Sequence, residues 1–212
     1  MVTDNMAHSL QIGDAAPNFQ ARSTQGNISL SDFRGKWLVL FSHPADFTPV
    51  CTSEFVALAK AKDRFDAIGC ALIAVSVDSL YSHFGWISAI REGLGVSLNF
   101  PIVEDPSLVI GRAYGMISDR SQDASAMRSS YYIDPEGIIR AVTTYPATIG
   151  RSVEEMLRIV AALQRVDQGG AVTPEGWHPG DPALIPPPLD VQSFAERASD
   201  PLWFYKFEGS SK

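Results

Sequence analysis

The chain has 212 residues, of which 45 % are apolar, a formal net charge of −7 and only two cysteines. This length and apolar content suit one globular domain with an appended segment, and no apolar run approaches the roughly 20 residues that span a bilayer. The negative charge argues against nucleic acid and membrane surfaces as partners, because both favour a basic protein face. Two cysteines are too few for a disulfide framework, and the N-terminus lacks a signal-peptide pattern, so a reducing cytoplasm is the predicted location.

The first half of the chain predicts two buried strands that alternate with two helices. The runs KWLVLFS (36–42) and CALIAVSVD (70–78) are short and mostly apolar, which is typical of strands buried on both faces. From Thr52 to about Phe65, apolar residues spaced three and four apart predict a helix. The segment 82–93 predicts a second helix, which a glycine ends.

The second half predicts a hairpin and a closing helix. Two β-rich runs within 129–145 are joined by Asp-Pro-Glu-Gly, a turn sequence. Ser152 and Glu155 form a capping box for a helix that runs to about Val166. Together with the first half, this order predicts an α/β fold with a mixed central sheet flanked by helices, in a main domain of residues 9–168.

An extended C-terminal arm is predicted over residues 169–212. Its segment HPGDPALIPPPLD is rich in proline, and four aromatic residues follow within Trp203–Phe207. A proline-rich segment of this length cannot bury those aromatic side chains by itself. We therefore expect the arm to lie on the main domain or on another subunit, and to help form a homodimer.

The most informative stretch of the sequence is HPADFTPVCTSEF, which follows the first predicted strand. Thr48 and Pro49 fit the N-cap and first position of a helix, which puts Cys51 at its third position. An anion there is stabilised by free backbone N–H groups and the helix dipole, and thiols at helix N-termini ionise more readily. Cys51 is therefore a candidate nucleophile rather than an ordinary buried cysteine.

A helix terminus alone is too weak to keep a thiol ionised at neutral pH. Lowering a thiol pKa from about 8.5 to about 6 requires about 3.4 kcal/mol, whereas a helix terminus contributes roughly 0.3–1 kcal/mol. A guanidinium close to the sulfur could supply the remainder, because it stays charged and donates several hydrogen bonds. The stretch 36–53 contains no arginine, so this cation must come from elsewhere, and spacing alone does not identify it.

The motif P-x-x-x-T-x-x-C, formed by Pro44, Thr48 and Cys51, resembles the active-site motif of peroxiredoxins. Over nearly the whole chain, and notably in SVDSLYSHFGW and YPATIGRSVEEMLRIVAALQ, the likeness is to the one-cysteine, peroxiredoxin-six subfamily. The resemblance implies a thioredoxin-like fold and a thiol peroxidase that reduces hydrogen peroxide or organic hydroperoxides. It also implies that Cys51 attacks the peroxide and becomes a sulfenic acid.

The resemblance further implies an active site of eight residues, which comprises Cys51, Thr48, Arg128, Pro44, His43, Val50, Glu54 and Arg151. In this interpretation Pro44 shields the sulfur, Thr48 positions the peroxide, and Arg128 activates both the thiolate and the O–O bond. Arg151 is a second arginine near the same pocket, and Glu54 orients the arginines. His43 and Val50 lie close to the cysteine.

The second cysteine is not predicted to resolve the sulfenic acid. A helix of about 15 residues from Cys51 would be roughly 22 Å long, with Cys70 at its far end, whereas a disulfide needs Cα atoms within about 7 Å. Cys70 is therefore predicted to be a small buried hydrophobe, and the arm contains no cysteine. An external thiol or another reductant is the predicted partner.

Two other functions remain open from the sequence. A cysteine hydrolase would use Cys51 with a histidine base, and a redox sensor or holdase chaperone would use the same fold without turnover. The four histidines are scattered along the chain, so neither a metal site nor a cofactor is predicted. A homodimer is the expected assembly, with a higher ring as a further option.

Overall fold

The computed structural model describes residues 10–117 and 126–209. The N-terminal residues, for which no signal peptide is predicted, lie outside these ranges. So do the predicted domain start at residue 9 and the last three residues of the arm. Contacts within the chain divide it into two compact units, with the division between Val153 and Glu154. The predicted boundary after residue 168 falls within the second unit and stays a prediction.

The first unit contains a seven-stranded sheet and four helices among its described residues. Its strands are β1 (Gln20–Ser23), β2 (Gly26–Ser29), β3 (Trp37–Ser42), β4 (Cys70–Ser76), β5 (Ile102–Glu104), β6 (Arg128–Ile133) and β7 (Ile139–Tyr145). Its helices are α1 (Pro49–Lys60), α2 (Lys62–Ala67), α3 (Leu80–Leu94) and α4 (Val109–Ala113), and a 3-10 turn covers Leu30–Phe33.

The sheet is mixed, as predicted. Its strands lie in the order β2-β1-β5-β4-β3-β6-β7. The three central strands β5, β4 and β3 are parallel, whereas the other pairs are antiparallel. The arrangement is a thioredoxin-like fold, in which the central parallel strands lead into helices that cover the sheet.

The central strand β3 is buried on both faces, which explains its continuous apolar sequence. Leu38 and Leu40 belong to one core cluster, together with Ile73 of β4. The ring of Phe41, whose side chain points to the opposite face, lies edge-on to Phe55 of α1, with centroids 5.7 Å apart. This contact anchors α1, the helix that carries Cys51, to the central strand.

Two helices have different bounds from those predicted. The helix expected to run to Phe65 breaks at Ala61, whose N–H is shared between carbonyl groups of the preceding turn, so α1 closes before α2 begins. The second predicted helix begins earlier, after the N-cap Ser79, and passes through Gly93. It ends at Gly95, because that residue adopts the left-handed conformation (φ 67°) that closes a helix.

The hairpin formed by β6 and β7 confirms the predicted turn. The N–H of Gly137 donates to Asp134 O at 2.8 Å, and the N–H of Ile138 donates to Asp134 Oδ1 at the same distance. Gly137 has φ 77°, and a Cβ at this position would lie 1.9 Å from Nη1 of Arg34. The backbone angle therefore favours glycine, whereas the Arg34 guanidinium, at the end of a flexible side chain, could move to make room.

The second unit contains α5 from Glu154 onward and the arm. α5 (Val153–Asp167) confirms the helix predicted from Ser152 to about Val166. The arm is not extended throughout, because α6 (Val191–Arg197) follows the proline run. Asp190 caps α6 by accepting the N–H of Ser193 at 2.8 Å, a local signal that the proline-rich composition obscured.

The aromatic residues of the arm pack mainly against one another. Trp203 lies edge-on to Phe194 of α6, with ring centroids 5.1 Å apart, and also contacts Phe204. Phe204, Tyr205 and Leu202 nevertheless keep half or more of their surface exposed. Among the described residues, no helix is long and apolar enough to cross a membrane.

Candidate active site

The segment that follows β3 positions Cys51. Residues 43–48 form an irregular turn, and Thr48 is the N-cap of α1 with extended backbone angles (φ −101°, ψ 148°). Cys51 is therefore the third helical residue, as predicted, and its side chain is fully buried. The Thr48 hydroxyl donates to Ala45 O at 2.9 Å instead of capping the helix. The first-turn N–H groups thus lack a side-chain cap and can stabilise an anion at this end of α1.

Arg128 lies directly against the sulfur. It is the first residue of β6, which runs antiparallel to β3 and so begins near the end of β3 from which the chain enters α1. Its Nη1 is 3.4 Å from Cys51 Sγ and 2.8 Å from Glu54 Oε2. Its Nε and Nη2 both donate to Ala147 O, at 2.9 and 2.7 Å. These contacts hold the guanidinium plane in one orientation beside Cys51.

Glu54 lies between two arginines. Its Oε1 accepts the backbone N–H and the Nε of Arg151 at 2.7 and 2.9 Å, and its Oε2 accepts Nη2 of Arg151 at 2.9 Å. Arg151 Nη1 also donates to Ser129 O at 3.0 Å and to Ser130 Oγ at 3.1 Å. All three charged side chains are buried, which such groups tolerate only when they are paired and hydrogen-bonded.

The network places a net positive charge beside Cys51. Burial by itself would raise the pKa of Glu54, but the hydrogen bonds and charge of Arg151, with the charge of Arg128, outweigh it and lower that pKa. Glu54 is therefore a carboxylate at neutral pH, and it balances only one of the two guanidinium charges. Among the hydrogen bonds of the described residues, the other guanidinium charge has no carboxylate of its own, and Arg128 carries it directly against the sulfur.

The predicted residues Pro44 and Val50 flank the same end of α1. Pro44 is buried in the turn that follows β3. Val50 is half-buried, and its Cγ1 lies 3.5 Å from where a side chain on Gly150 would begin, next to Arg151. These positions put both residues beside the sulfur-bearing turn, and their roles toward a substrate stay predictions.

His43 is part of a separate buried cluster. Its Nε2 hydrogen-bonds to Asp46 Oδ1 at 2.9 Å, and Nδ1 of His83 hydrogen-bonds to Asp46 Oδ2 at 2.8 Å. Among the described residues, the other ring nitrogen of each histidine has no hydrogen-bond partner. Neither imidazole therefore hydrogen-bonds to Cys51, so the histidine base that a cysteine hydrolase needs is not in place. The role of His43 beside the cysteine stays a prediction.

Cys70 lies at the opposite end of the central strands. It pairs with Trp37 at the start of β3, whereas the chain leaves the other end of β3, at Ser42, through the turn that leads to Cys51 in α1. The strand between these ends is roughly 16 Å long, too far for a disulfide without rearrangement. Both cysteines are free and buried, and burial raises the pKa of the Cys70 thiol to about 12.

Three residues that hydrogen-bond to the predicted site residues or to their partners were missed from the sequence. Asp46 and His83 are separated by 37 residues, and Ala147 lies 19 residues from the arginine it orients. Asp46 carries the one usable signal, because an acidic residue three positions after His43 in an irregular turn can hydrogen-bond back to it. Neither His83 nor Ala147 has a local pattern that could have indicated its contact.

Two family models match the chain. The AhpC/TSA family matches residues 12–142, which include most of the first unit. The C-terminal domain of 1-Cys peroxiredoxin matches residues 162–198. The two matches together cover the Cys51 region and much of the second unit, as expected for a peroxiredoxin with the one-cysteine type of C-terminal segment.

Curated relatives and solved structures also indicate a peroxiredoxin. The chain is 46 % identical over 187 residues to "Peroxiredoxin 2" of Caldanaerobacter subterraneus subsp. tengcongensis, covering 88 % of this chain and 85 % of that protein. A yeast mitochondrial 1-Cys peroxiredoxin, whose thiol is resolved via glutathione/thioredoxin systems, superposes with a TM-score of 0.83 at 40 % identity over 93 % and 98 % of the two chains. A cysteine-to-serine mutant of peroxiredoxin 6 from Arenicola marina gives a TM-score of 0.81 at 31 % identity over 89 % of each chain. The chain therefore belongs to the AhpC/TSA family, as a peroxiredoxin of the one-cysteine, peroxiredoxin-six type, a peroxidase of the oxidoreductase class.

Proposed function

We propose that Cys51 is the peroxidatic nucleophile and that it reduces hydrogen peroxide and organic hydroperoxides. The thiolate sulfur attacks one peroxide oxygen, an S–O bond forms and the O–O bond breaks. The sulfur is oxidised to a sulfenic acid, and the second oxygen leaves as an alkoxide or hydroxide that takes up a proton. The observation that carries this proposal is the buried sulfur 3.4 Å from the Arg128 guanidinium, at the uncapped start of a helix.

The surrounding residues have distinct roles in this proposal. The guanidinium of Arg128 stabilises the thiolate and then the negative charge that develops on the leaving oxygen. Glu54 and Arg151 hold Arg128 in place, because the carboxylate bonds to both guanidinium groups. Thr48 presents its hydroxyl oxygen at the same end of α1, and Pro44 keeps water from the sulfur.

An external thiol regenerates the enzyme. A first thiol displaces water from the sulfenic acid and forms a mixed disulfide, and a second thiol releases Cys51 and leaves with the first as a disulfide. Cys70 is unsuited to this step because of its position and its high pKa. The yeast relative uses glutathione/thioredoxin systems, so glutathione and thioredoxin are the first reductants to test.

We also propose that the protein acts as a cytoplasmic homodimer, in which the arm from residue 169 forms part of the interface. The half-exposed Leu202, Phe204 and Tyr205 support this role, because a cluster of apolar side chains at the surface favours association. Removal of residues 169–212 should shift sedimentation toward the monomer. An unchanged oligomer in that truncated protein would exclude the arm from the interface.

Steady-state peroxide consumption with a panel of reductants tests the catalytic proposal. The panel contains glutathione, thioredoxin, glutaredoxin and ascorbate, each with hydrogen peroxide and with an organic hydroperoxide. Cys51→Ser should abolish consumption, whereas the matched variant Cys70→Ser should retain most of it. Equal losses in the two variants would contradict the one-cysteine assignment, and oxidation of the wild type without turnover in any reductant would favour a redox sensor.

A further inference from the structure

The buried cluster of His43, Asp46 and His83 is not used by the chemistry described above. Asp46 belongs to the turn before α1, His43 follows the end of β3, and His83 comes from α3. All three side chains are buried, and a ring nitrogen of each histidine hydrogen-bonds to a different oxygen of the same carboxylate. The cluster therefore ties the turn that precedes Cys51 to an element that is distant in sequence.

The protons of the cluster are determined by its hydrogen bonds. Burial alone would raise the pKa of Asp46, but the hydrogen bonds and charges of His43 and His83 lower it to about 2. Asp46 is thus an anion that can only accept, so Nε2 of His43 and Nδ1 of His83 must carry the protons. The other nitrogen of each ring has no hydrogen-bond partner among the described residues and lies in an apolar setting that includes Trp86, whose ring stacks on that of His43 with centroids 5.4 Å apart.

A divalent metal would reverse this arrangement. The three side chains offer ligand atoms within 4.8 Å of one another, close enough to share an ion. Metal coordination by Nε2 of His43 and Nδ1 of His83 would move each proton to the far nitrogen, which has no acceptor among the described residues. Metal-binding histidines almost always donate that proton to a partner, and a buried N–H without one is costly. Hydrogen bonding therefore explains the cluster better than a metal does.

The cluster restrains a strained residue two positions before the helix. The backbone N–H of Asp46 donates to Asp78 Oδ2 at 3.0 Å, which Ser76 Oγ also contacts at 3.0 Å. The next residue, Phe47, has φ 55°, a left-handed conformation that costs a residue with a side chain roughly 1–2 kcal/mol. Such a conformation persists only where its surroundings hold it. Thr48, the N-cap of α1, follows immediately.

The same face of α3 also contacts α1 itself, at a residue that follows Cys51. Trp86 is one turn from His83, and its Nε1 donates to Thr52 Oγ1 at 3.2 Å. Thr52 Oγ1 in turn donates to Thr48 O at 2.7 Å. α3 therefore contacts the chain on both sides of the nucleophile, at Asp46 in the turn before α1 and at Thr52 within α1, and neither contact involves the arginine network.

We propose that His83 is a positioning residue for Cys51. By donating from Nδ1 to Asp46, it holds the left-handed turn at Phe47 and thereby the N-terminus of α1 against the Arg128 guanidinium. His83 touches neither the sulfur nor the peroxide in this role; it acts through Asp46. The inference rests on the proposed function of Cys51, but it can be tested without peroxide because alkylation also reports the environment of the thiol.

Two substitutions of His83 separate hydrogen bonding from bulk. In His83→Asn the amide nitrogen can occupy the place of Nδ1 and keep the donor, whereas in His83→Gln the longer chain moves the donor to the place of Nε2. Glu92→Leu, at an exposed position of α3, controls for changes to the helix itself. Each variant is made in a Cys70→Ser background, so that a single thiol is followed, and urea unfolding establishes that it is folded.

The readouts are the pH midpoint for iodoacetamide alkylation of Cys51 and the second-order rate constant for its oxidation by hydrogen peroxide. We expect His83→Gln to raise the midpoint and slow oxidation roughly 10- to 100-fold, the range for a misplaced reacting group. His83→Asn should recover most of this rate, and Glu92→Leu should match the parent. Loss of peroxide turnover in the parent itself would contradict the proposed function, while the alkylation series would still test the positioning role.

Three outcomes would overturn the inference. If His83→Gln is folded and both readouts lie within twofold of the parent, the cluster only fills space and does not position Cys51. Equal slowing in His83→Asn and His83→Gln would reject the Nδ1 hydrogen bond as the cause. One equivalent of Zn²⁺ bound by the parent protein and lost in His83→Gln, measured by competition with a chromogenic chelator, would assign the cluster to a metal instead. If His83→Gln does not fold, Asp46→Asn replaces it in the test, because the asparagine keeps one acceptor oxygen. We then expect slower oxidation in Asp46→Asn, and a rate equal to that of the parent would overturn the inference.

Discussion

The replacement of Arg128 by methionine is the sharpest test of the charge arrangement around Cys51. Methionine keeps much of the buried volume but removes the guanidinium, which lies 3.4 Å from Sγ and 2.8 Å from Glu54 Oε2. Arg151 still bonds to both oxygens of Glu54, so the carboxylate does not lose all of its partners. The substitution therefore removes chiefly the charge that faces the sulfur.

The size of the effect can be worked from the distances. Two unit charges 3.4 Å apart attract by about 5 kcal/mol at an effective dielectric constant of about 20. Glu54, whose Oε2 is bonded to the same Nη1, repels a thiolate and offsets part of this attraction, so the net loss is closer to that of one charge-assisted hydrogen bond, about 1.5–3 kcal/mol. At about 1.4 kcal/mol per unit, this corresponds to a rise of roughly one to two pH units in the alkylation midpoint of Cys51.

The assay is alkylation of the reduced protein by iodoacetamide as a function of pH, combined with stopped-flow oxidation by hydrogen peroxide. Arg128→Lys is the matched control, because it keeps a positive charge but cannot reach the sulfur, Glu54 and Ala147 O together. We expect its midpoint to lie between those of the wild type and Arg128→Met. The oxidation rate at high pH should stay low in Arg128→Met, since the donor that we propose for the leaving oxygen is also lost. A folded Arg128→Met protein with an unchanged midpoint would refute the reasoning.

Burial and backbone geometry lead to three more expectations. Glu54→Gln leaves two buried guanidinium groups without a carboxylate, so the free energy of unfolding in urea should fall by about 3–5 kcal/mol, and an unchanged value would contradict the pairing. Burial lowers the pKa of His43 below its ordinary 6.5, although Asp46 acts in the opposite direction, so the folded state favours the neutral imidazole. The free energy of unfolding should therefore decline as the pH falls below about 6.5, by at most about 1.4 kcal/mol per pH unit. His43→Gln should flatten this decline between about pH 6.5 and 5, above the range in which Glu54 titrates, and an equally steep slope would assign it to other groups. Gly137→Ala, at φ 77° and against Arg34, should cost roughly 1–2 kcal/mol of stability while peroxide consumption per folded molecule is unchanged, and a loss of activity in folded protein would link the hairpin turn to the site.

Elements with strong local signals were predicted well, whereas short ones were not. The run at 36–42 and the turn at Gly137 depend on neighbouring residues, and both were found within a residue or two of the prediction. β5 has three residues and α4 has five, too few to show a period in the sequence. The helix α6 was hidden by the proline run before it, although Asp190 caps it.

In the candidate active site too, the local features could be predicted and the contacts between distant residues could not. The helix position of Cys51 follows from Thr48 and Pro49, which act over a few residues. Arg128 is 77 residues away, and only the resemblance to a family, not the spacing, indicated it. The contact of His83 with Asp46 had no signal of either kind, because it depends on how α3 lies against the turn before α1.

By itself, the sequence determined that one thiol begins a helix after a buried strand and that the other opens the next strand, because these features depend on residues that are close in the chain. Only the tertiary structure decided which charges surround that thiol. The antiparallel register of β6 on β3 brings Arg128 to the sulfur, and the packing of α3 brings His83 to Asp46. Buried charges and hydrogen bonds change in strength over a few ångströms, so their effect on Cys51 depends on distances that no spacing along the chain encodes.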